Sequence, residues 1–404
     1  MRSRIVVCPA ILLLCLGLSF GTVGCSKKSE GTVAANVGAI LTDAEVKQFA
    51  VQLEKAASSG NATAISDVID ADALGDTALA GIGFSSAFKN DFIGGMRQGM
   101  AKDGGFGKQI TDATAKGGTF RLLRTVTVDG KQRVRFRLMM PELGGVNYMD
   151  FVLARRKGGA IKAVDVYIFT SGEMISATMH RMMLPMAEKQ GLLARLRQED
   201  KGYIEATKAF GEMAAALRQG NAKEVVRRYN ALPEVMKKEK MAQIVRLQAA
   251  SAGDEGEYQQ ALERFQKDFA GDPAADMMGI DYYFLRKNYN KALEMVDRLD
   301  KAIGGDPALN LIRAGTLGEA GRTQEVIPLL QKTIKEMPDD VFAHYMLLGM
   351  YLQEKIYEPV PELMKKLAAL GEKMEDPKDV QEPMWKAFVK SPQYQKWKQS
   401  NKSP

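Results

Sequence analysis

Histidine, cysteine and tryptophan are scarce in this chain: two, three and two residues respectively among 404. Metal binding and most nucleophilic or acid–base catalysis bring several histidines, cysteines and acids together, so the scarcity argues against an enzyme and against a metal or other cofactor. His180 and His344 lack both the glutamate spacing of a zinc-protease helix and a second histidine nearby, and read as packed structural residues. The run Asp103-Gly104-Gly105-Phe106-Gly107-Lys108-Gln109 fails as a phosphate loop, because Gln109 stands where Ser or Thr is required and Lys102 where the first glycine belongs. What is present is ordinary: 46% apolar and 26% charged residues exclude a wholly disordered, collagen-like or polytopic membrane protein. A formal charge of +7 raises the question of an anionic partner.

Arg2 and Arg4 precede an apolar run from Ile5 to Phe20, the pattern of an export signal. It ends in Gly21-Thr22-Val23-Gly24-Cys25, which resembles the bacterial lipobox, with Thr22 where leucine is usual. The resemblance implies that residues 1–24 are removed and that Cys25 is acylated. Ser26 after it is similar to lipoproteins sent to the outer membrane, facing the periplasm. Cys8 and Cys15 then leave with the signal, and no disulfide forms within the mature chain. Residues 25–40 comprise the lipidated cysteine and a flexible tether. Losing Arg2 and Arg4 leaves a net charge of +5, matched by Lys386, Lys390, Lys396, Lys398 and Lys402 in a tail without acids. Basic charge confined to a tail of an exported chain gives no reason to expect nucleic acid.

From Leu41 to Ser58 the apolar spacing predicts an amphipathic helix opened by a Thr42-x-x-Glu45 capping box. A second short helix is expected over 63–69, and residues 72–118 read as irregular with one or two helices around 84–100. Four strands follow at 119–128, 131–140, 146–156 and 160–170. Asp129-Gly130 turns the first pair and Lys157-Gly158-Gly159 the last, giving an antiparallel meander and an α+β class. The first helix, Ser59-Gly60-Asn61-Ala62-Thr63-Ala64-Ile65 leading to Asp70-Ala71-Asp72, and the meander ending at Phe169 together resemble the NTF2-like (SnoaL-like) superfamily over 41–172. That resemblance implies helices packed into a curved sheet with a cavity, to which Tyr148, Asp150, Asp165 and Tyr167 could lend polar groups. Arg133, Arg135 and Arg137 alternate with apolar residues, so one strand face is cationic. It could hold an anion, but a solvated face, or pairing with Asp150 and Asp165, is the plainer expectation.

A connecting helix is expected within 173–200, near 178–196. Residues 201–372 are purely helical in pattern and repeat internally. The segments Gly256-Glu257-Tyr258-Gln259-Gln260-Ala261-Leu262, Lys287-Asn288-Tyr289-Asn290-Lys291-Ala292-Leu293, Gly321-Arg322-Thr323-Gln324-Glu325-Val326-Ile327 and Lys355-Ile356-Tyr357-Glu358-Pro359-Val360-Pro361 align at intervals of 31, 34 and 34 residues. Phe265, Val296, Leu330 and Met364 follow four residues after the aligned Ala or Val. A weaker unit at Gly220-Asn221-Ala222, with Val225 and Tyr229, precedes them. These units resemble tetratricopeptide repeats, which implies an all-α solenoid with a groove for a protein or extended peptide. Residues 373–404 read as a capping helix and basic tail, where Trp385 and Trp397 lie among Lys386, Lys390, Lys396 and Lys398; solvated lysines over a packed cap are the plainer reading, contact with an anionic membrane the sharper one.

The expectation is therefore a multidomain chain, α+β and then helical solenoid. Its function reads as a membrane-anchored, non-enzymatic scaffold or adaptor of the bacterial envelope, with another envelope protein or a peptide as partner. The second reading is a small-ligand-binding protein that uses a cavity in the N-terminal domain.

Overall fold

A computed structural model describes residues 41–140, 145–192, 209–373, 376–380 and 382–400. The signal segment 1–24, Cys25 with the tether, residues 193–208 and Lys402 lie outside the described residues. Thr42 caps α1 (Asp43–Ser58), and the Glu45 carboxylate accepts from the Thr42 amide at 2.9 Å to complete the capping box. Val46, Phe49, Ala50 and Leu53 form its buried stripe. Asn61 caps α2 (Ala62–Asp67).

Between residues 72 and 118 the helix expected around 84–100 is present, and the structure corrects the remainder, expected to be irregular. Three helices occupy the stretch: α3 (Ala71–Leu79), α4 (Ser86–Asp103) and α5 (Gly105–Ala115), the first two capped by Asp70 and Ser85. The glycines that obscured the helical pattern have two distinct roles. Gly104 takes φ 67° and breaks α4 from α5. Gly107 lies inside α5, where a Cβ would fall 2.0 Å from the Ala62 carbonyl oxygen, so its missing side chain lets α5 lie against α2.

The meander comprises β1 (Thr119–Val128), β2 (Lys131–Met140), β3 (Gly145–Arg155) and β4 (Ile161–Ile168), joined by a two-residue β5 (Glu173–Met174). Strand order follows the chain, with every neighbouring pair antiparallel. Asp129 and Gly130 both adopt positive φ, 51° and 71°, as a two-residue hairpin turn requires. The segment expected only as connecting helix begins with β5, too short to leave a sequence pattern. One sheet face carries Val134, Phe136, Leu138, Met149, Phe151 and Leu153 into a core shared with the helices. There the Phe136 ring stacks on Phe120 at 4.6 Å and meets Phe151 edge-on at 5.4 Å.

After β5, α6 (Ile175–Lys189) returns across this domain, its His180 Nδ1 2.8 Å from the Ala78 carbonyl. Residues 209–218 are helical. Then come α7 (Ala222–Ala231), α8 (Glu234–Lys237), α9 (Lys240–Ser251), α10 (Glu255–Asp268), α11 (Pro273–Leu285), α12 (Tyr289–Ile303), α13 (Leu309–Glu319), α14 (Thr323–Glu336), α15 (Val341–Gln353) and α16 (Val360–Ala369). Two short helices end the described chain, α17 (Pro383–Val389) and α18 (Pro392–Ser400).

The aligned positions Ala261, Ala292, Val326 and Val360 are all buried, as are Phe265, Val296, Leu330 and Met364 four residues on. Val225 and Tyr229 of the weaker unit are buried as well. Lys287, Gly321 and Lys355, 34 residues apart, all adopt left-handed φ of 56°, 73° and 58°. The same turn is thus made three times, twice by a lysine that bears a Cβ penalty to make it.

The chain divides into two compact units, one reaching Tyr282 and the other starting at Tyr283, within α11. The sequence pattern changes much earlier, at 173–200. The first unit runs on because its α+β part touches the early helices: Gly172, next to β5, lies against the Lys240 ammonium and the Asp272 carboxylate, which are paired with each other. In the second unit α12 to α16 pack successively, each on the next.

Candidate functional site

The second face of the sheet gathers the polar residues singled out from the sequence. Cross-strand register sets Arg135 opposite Asp150, Arg137 opposite Tyr148, Asp150 opposite Tyr167 and Val152 opposite Asp165. Arg135 donates through Nε and Nη2 to the two Asp150 oxygens at 2.7 and 2.8 Å, a bidentate pair. Its guanidinium also lies 4.8 Å from the centre of the Phe169 ring. Arg133 Nη2 stands 3.6 Å from the Asp129 carboxylate.

Of the two plainer expectations, solvation fails, since Arg133, Arg135 and Arg137 are each only 6% exposed, while pairing is met at Arg135 and Asp150. Burial is tolerable at Arg135 because its charge is neutralised by a partner of matching fork geometry and its flat face rests on an aromatic ring. Asp165 does not supply the second ion pair. It accepts from the Ser176 amide at 3.2 Å and from the Ser176 hydroxyl, and so holds the first turn of α6. Burial pushes its carboxyl above the usual range, against the downward pull of the Ser176 and Val166 hydrogen bonds. The Tyr167 phenol is pushed up to about 12, first by burial and then by the charges of Asp272 and Asp150. Both Asp150 oxygens are engaged and Tyr148 is fully buried, so these two side chains are committed to internal contacts.

A different surface, on residues not singled out from the sequence, emerges on α15. Ala343, His344, Leu347, Leu348, Tyr351 and Leu352 are buried, with His344 Nδ1 2.8 Å from the Asp340 carbonyl. The opposite side carries Phe342, 39% exposed, with Tyr345, Met346, Gly349 and Met350 half-buried. Spacings of three, four, seven and eight residues place these five on one stripe. Space above Gly349 is open, as it is above Gly318 of α13. The available signal was Val-Phe-Ala-His-Tyr-Met-Leu-Leu-Gly-Met-Tyr-Leu-Gln, a helix apolar on every side in a layer that must face water somewhere.

The C-terminal cap is built around Phe388, another residue not singled out from the sequence. Its ring contacts Tyr357 at 5.5 Å, Trp385 at 6.0 Å and Tyr394 at 5.6 Å, and Trp397 lies 5.7 Å from Tyr394. Lys386, Lys390 and Lys396 are exposed and Lys398 is half-buried. The two tryptophans therefore belong to one aromatic cluster, while the lysines surround it.

Among the described residues no group of three or more His, Cys, Asp or Glu side chains could hold a metal ion. Among the same residues no helix is long and apolar enough to cross a membrane. No protein-family model matches the chain, and no curated protein does. Two solved structures are similar to it. One is MamA 41-end from Desulfovibrio magneticus RS-1, at 17% identity and a TM-score of 0.37. The other is the MamA RS-1 ArsTM double mutant, at 17% identity and a TM-score of 0.36. Each covers 41% of this chain and 94% of its own. Likeness at that level establishes no function.

Proposed function

We propose that this protein is a lipid-anchored, non-enzymatic scaffold of the bacterial envelope, attached through Cys25 to the outer membrane on its periplasmic side. Its helical repeats, similar in period to tetratricopeptide units, hold a protein or peptide partner. The observation that carries this reading is the apolar stripe Phe342, Tyr345, Met346 and Met350 on the outer side of α15, within repeats whose aligned positions are otherwise buried. A regular stack needs apolar residues only where helices meet, so a stripe left facing outward needs another reason. Methionine suits a surface that accommodates another chain, because its unbranched thioether fills irregular gaps. An amphipathic helix or an extended segment would lay its apolar side there.

The small-ligand reading draws less support. It would use Tyr148, Asp150, Asp165 and Tyr167, yet Asp150 is clamped by Arg135 and Asp165 by Ser176. The scaffold is tested by capture from detergent-solubilised envelopes, using the full chain and a full-length Phe342→Asp/Met346→Glu variant of equal stability. A discrete protein retained by the native chain and lost by the variant is the expected result. Identical catches from the two would remove the reading.

A further inference from the structure

The cap carries a feature that partner binding on α15 does not use. Phe388, Tyr394, Trp385 and Trp397 lock α17 and α18 together, and the Tyr394 hydroxyl donates to Asp376 at 3.0 Å. Around this cluster the chain presents two kinds of side chain. The first is apolar: Met384 is 36% exposed and Ile356, next to the Tyr357 that packs on Phe388, is 42% exposed. These are two of the five exposed large apolar side chains among the described residues. The second is cationic: Lys386, Lys390, Lys396 and Lys398 make no ion pair among the described residues. Elsewhere in the same unit Lys291, Lys332, Lys365, Lys366 and Lys378 lie beside an acid, while Lys287, Lys301, Lys335, Lys355 and Lys373 make no ion pair among the described residues; what sets the cap apart is that its lysines cluster with no acid among them. No acid occurs from Pro383 to the C-terminus.

We infer that this cap docks onto an anionic lipid surface, giving the protein a second membrane contact independent of acylation at Cys25. The side-chain chemistry selects the occupant. A protein partner with buried carboxylates would favour arginine, whose planar fork pairs in a fixed geometry, but the cationic residues here are all lysines. Lysine acts as a mobile point charge on a long apolar stem, suited to a fluid layer of headgroups. Tryptophan suits the same layer, having an apolar body and one polar N–H. Met384 and Ile356 add apolar groups that can enter the acyl boundary while the lysines reach the headgroups.

Both tryptophans of the chain lie in this cap, so intrinsic tryptophan fluorescence reports on it alone. The full-length protein is mixed with phosphatidylcholine vesicles, with or without roughly a third phosphatidylglycerol, and emission, quenching by brominated acyl chains and co-sedimentation are read together. On anionic vesicles the emission should shift to the blue, be quenched by bromine and recover at high salt, and on neutral vesicles it should not move. Substituting Lys386, Lys390, Lys396 and Lys398 by Gln should abolish the shift, at about fivefold in cap affinity per lysine, and substitution of the same four by Arg should keep it. Unchanged emission on anionic vesicles overturns the inference, as does an equal shift on neutral ones or a shift insensitive to both salt and the Gln substitutions. The salt titration needs no variant, so a folding defect in one does not remove the test. Anchor failure reads out separately, as loss of co-sedimentation with neutral vesicles.

Discussion

Arg135 and Asp150 face each other across the β2–β3 ladder and share two hydrogen bonds of 2.7 and 2.8 Å, the arginine side chain 8% exposed and the aspartate 2%. Removing one member strands a buried charge. Asp150→Asn or Arg135→Met should each cost about 3–5 kcal/mol in denaturant unfolding. The double Arg135→Met/Asp150→Leu variant should recover most of it, because an apolar pair of similar volume carries no desolvation penalty. Additive losses in the double variant would show that the two side chains are not coupled.

Lys287 and Lys355 adopt the left-handed turn conformation that Gly321 adopts in the equivalent position. A lysine there bears a Cβ clash that glycine avoids, at roughly 1 kcal/mol. Lys287→Gly and Lys355→Gly should each raise the thermal midpoint, by an amount reduced by glycine's greater freedom in the unfolded chain. Lower midpoints in both would indicate that the lysine side chains have a role the turn geometry does not show.

Leu330, fully buried at an aligned repeat position, and Phe342, exposed on α15, should separate stability from binding. Leu330→Ala is expected to destabilise by about 2–5 kcal/mol. Phe342→Asp should change stability by no more than about 0.5 kcal/mol while lowering partner retention on an affinity resin. A large loss of stability from Phe342→Asp would mean that this side chain packs within the protein.

Asp165 makes an acid-side prediction. Its folded pKa is raised by burial, so the folded state keeps the proton to higher pH than the unfolded chain does. The site's contribution is then complete below the ordinary carboxylate range and is lost as pH rises through the raised value. Thermal midpoints of the native protein relative to Asp165→Asn should fall with pH across that window. A difference that stays flat, or rises, would mean that the Ser176 and Val166 hydrogen bonds offset or outweigh burial at this carboxyl.

Cys25→Ser should abolish detergent-phase partitioning of the protein expressed with its own N-terminus, since a single acyl chain's affinity comes from about 0.8 kcal/mol per buried methylene and the serine carries none. Partitioning that survives the substitution counts against the anchor.

Strand positions were readable because Asp129-Gly130 and Gly158-Gly159 readily take the positive φ that a tight turn needs, and because residues flanking them alternate. Helix α1 was readable from Thr42 and Glu45 three residues apart. Helix α4 was legible around 84–100, but α3 and α5 were not, because Gly75 and Gly107 interrupt their patterns where close packing requires them: a Cβ on Gly75 would sit 2.6 Å from the Ile93 side chain. Of the polar residues on β2 to β4, alternation gave the shared face but not the partners. Asp165 could as well have met an arginine as Ser176, and only the turn through Thr170 to Glu173 brings α6 to it.

By itself the sequence determined the four-strand meander, the spacing of the helical repeat and which positions of each repeat must be apolar, since these follow from local backbone preference and from periods of two and 3.6. Only the tertiary structure decided which charges are buried with partners, which apolar stripe faces outward, and that Phe388 gathers the tail's aromatics beneath its lysines. Burial depends on what chain distant in sequence lies across a face, and a side-chain pattern specifies the face without specifying what covers it.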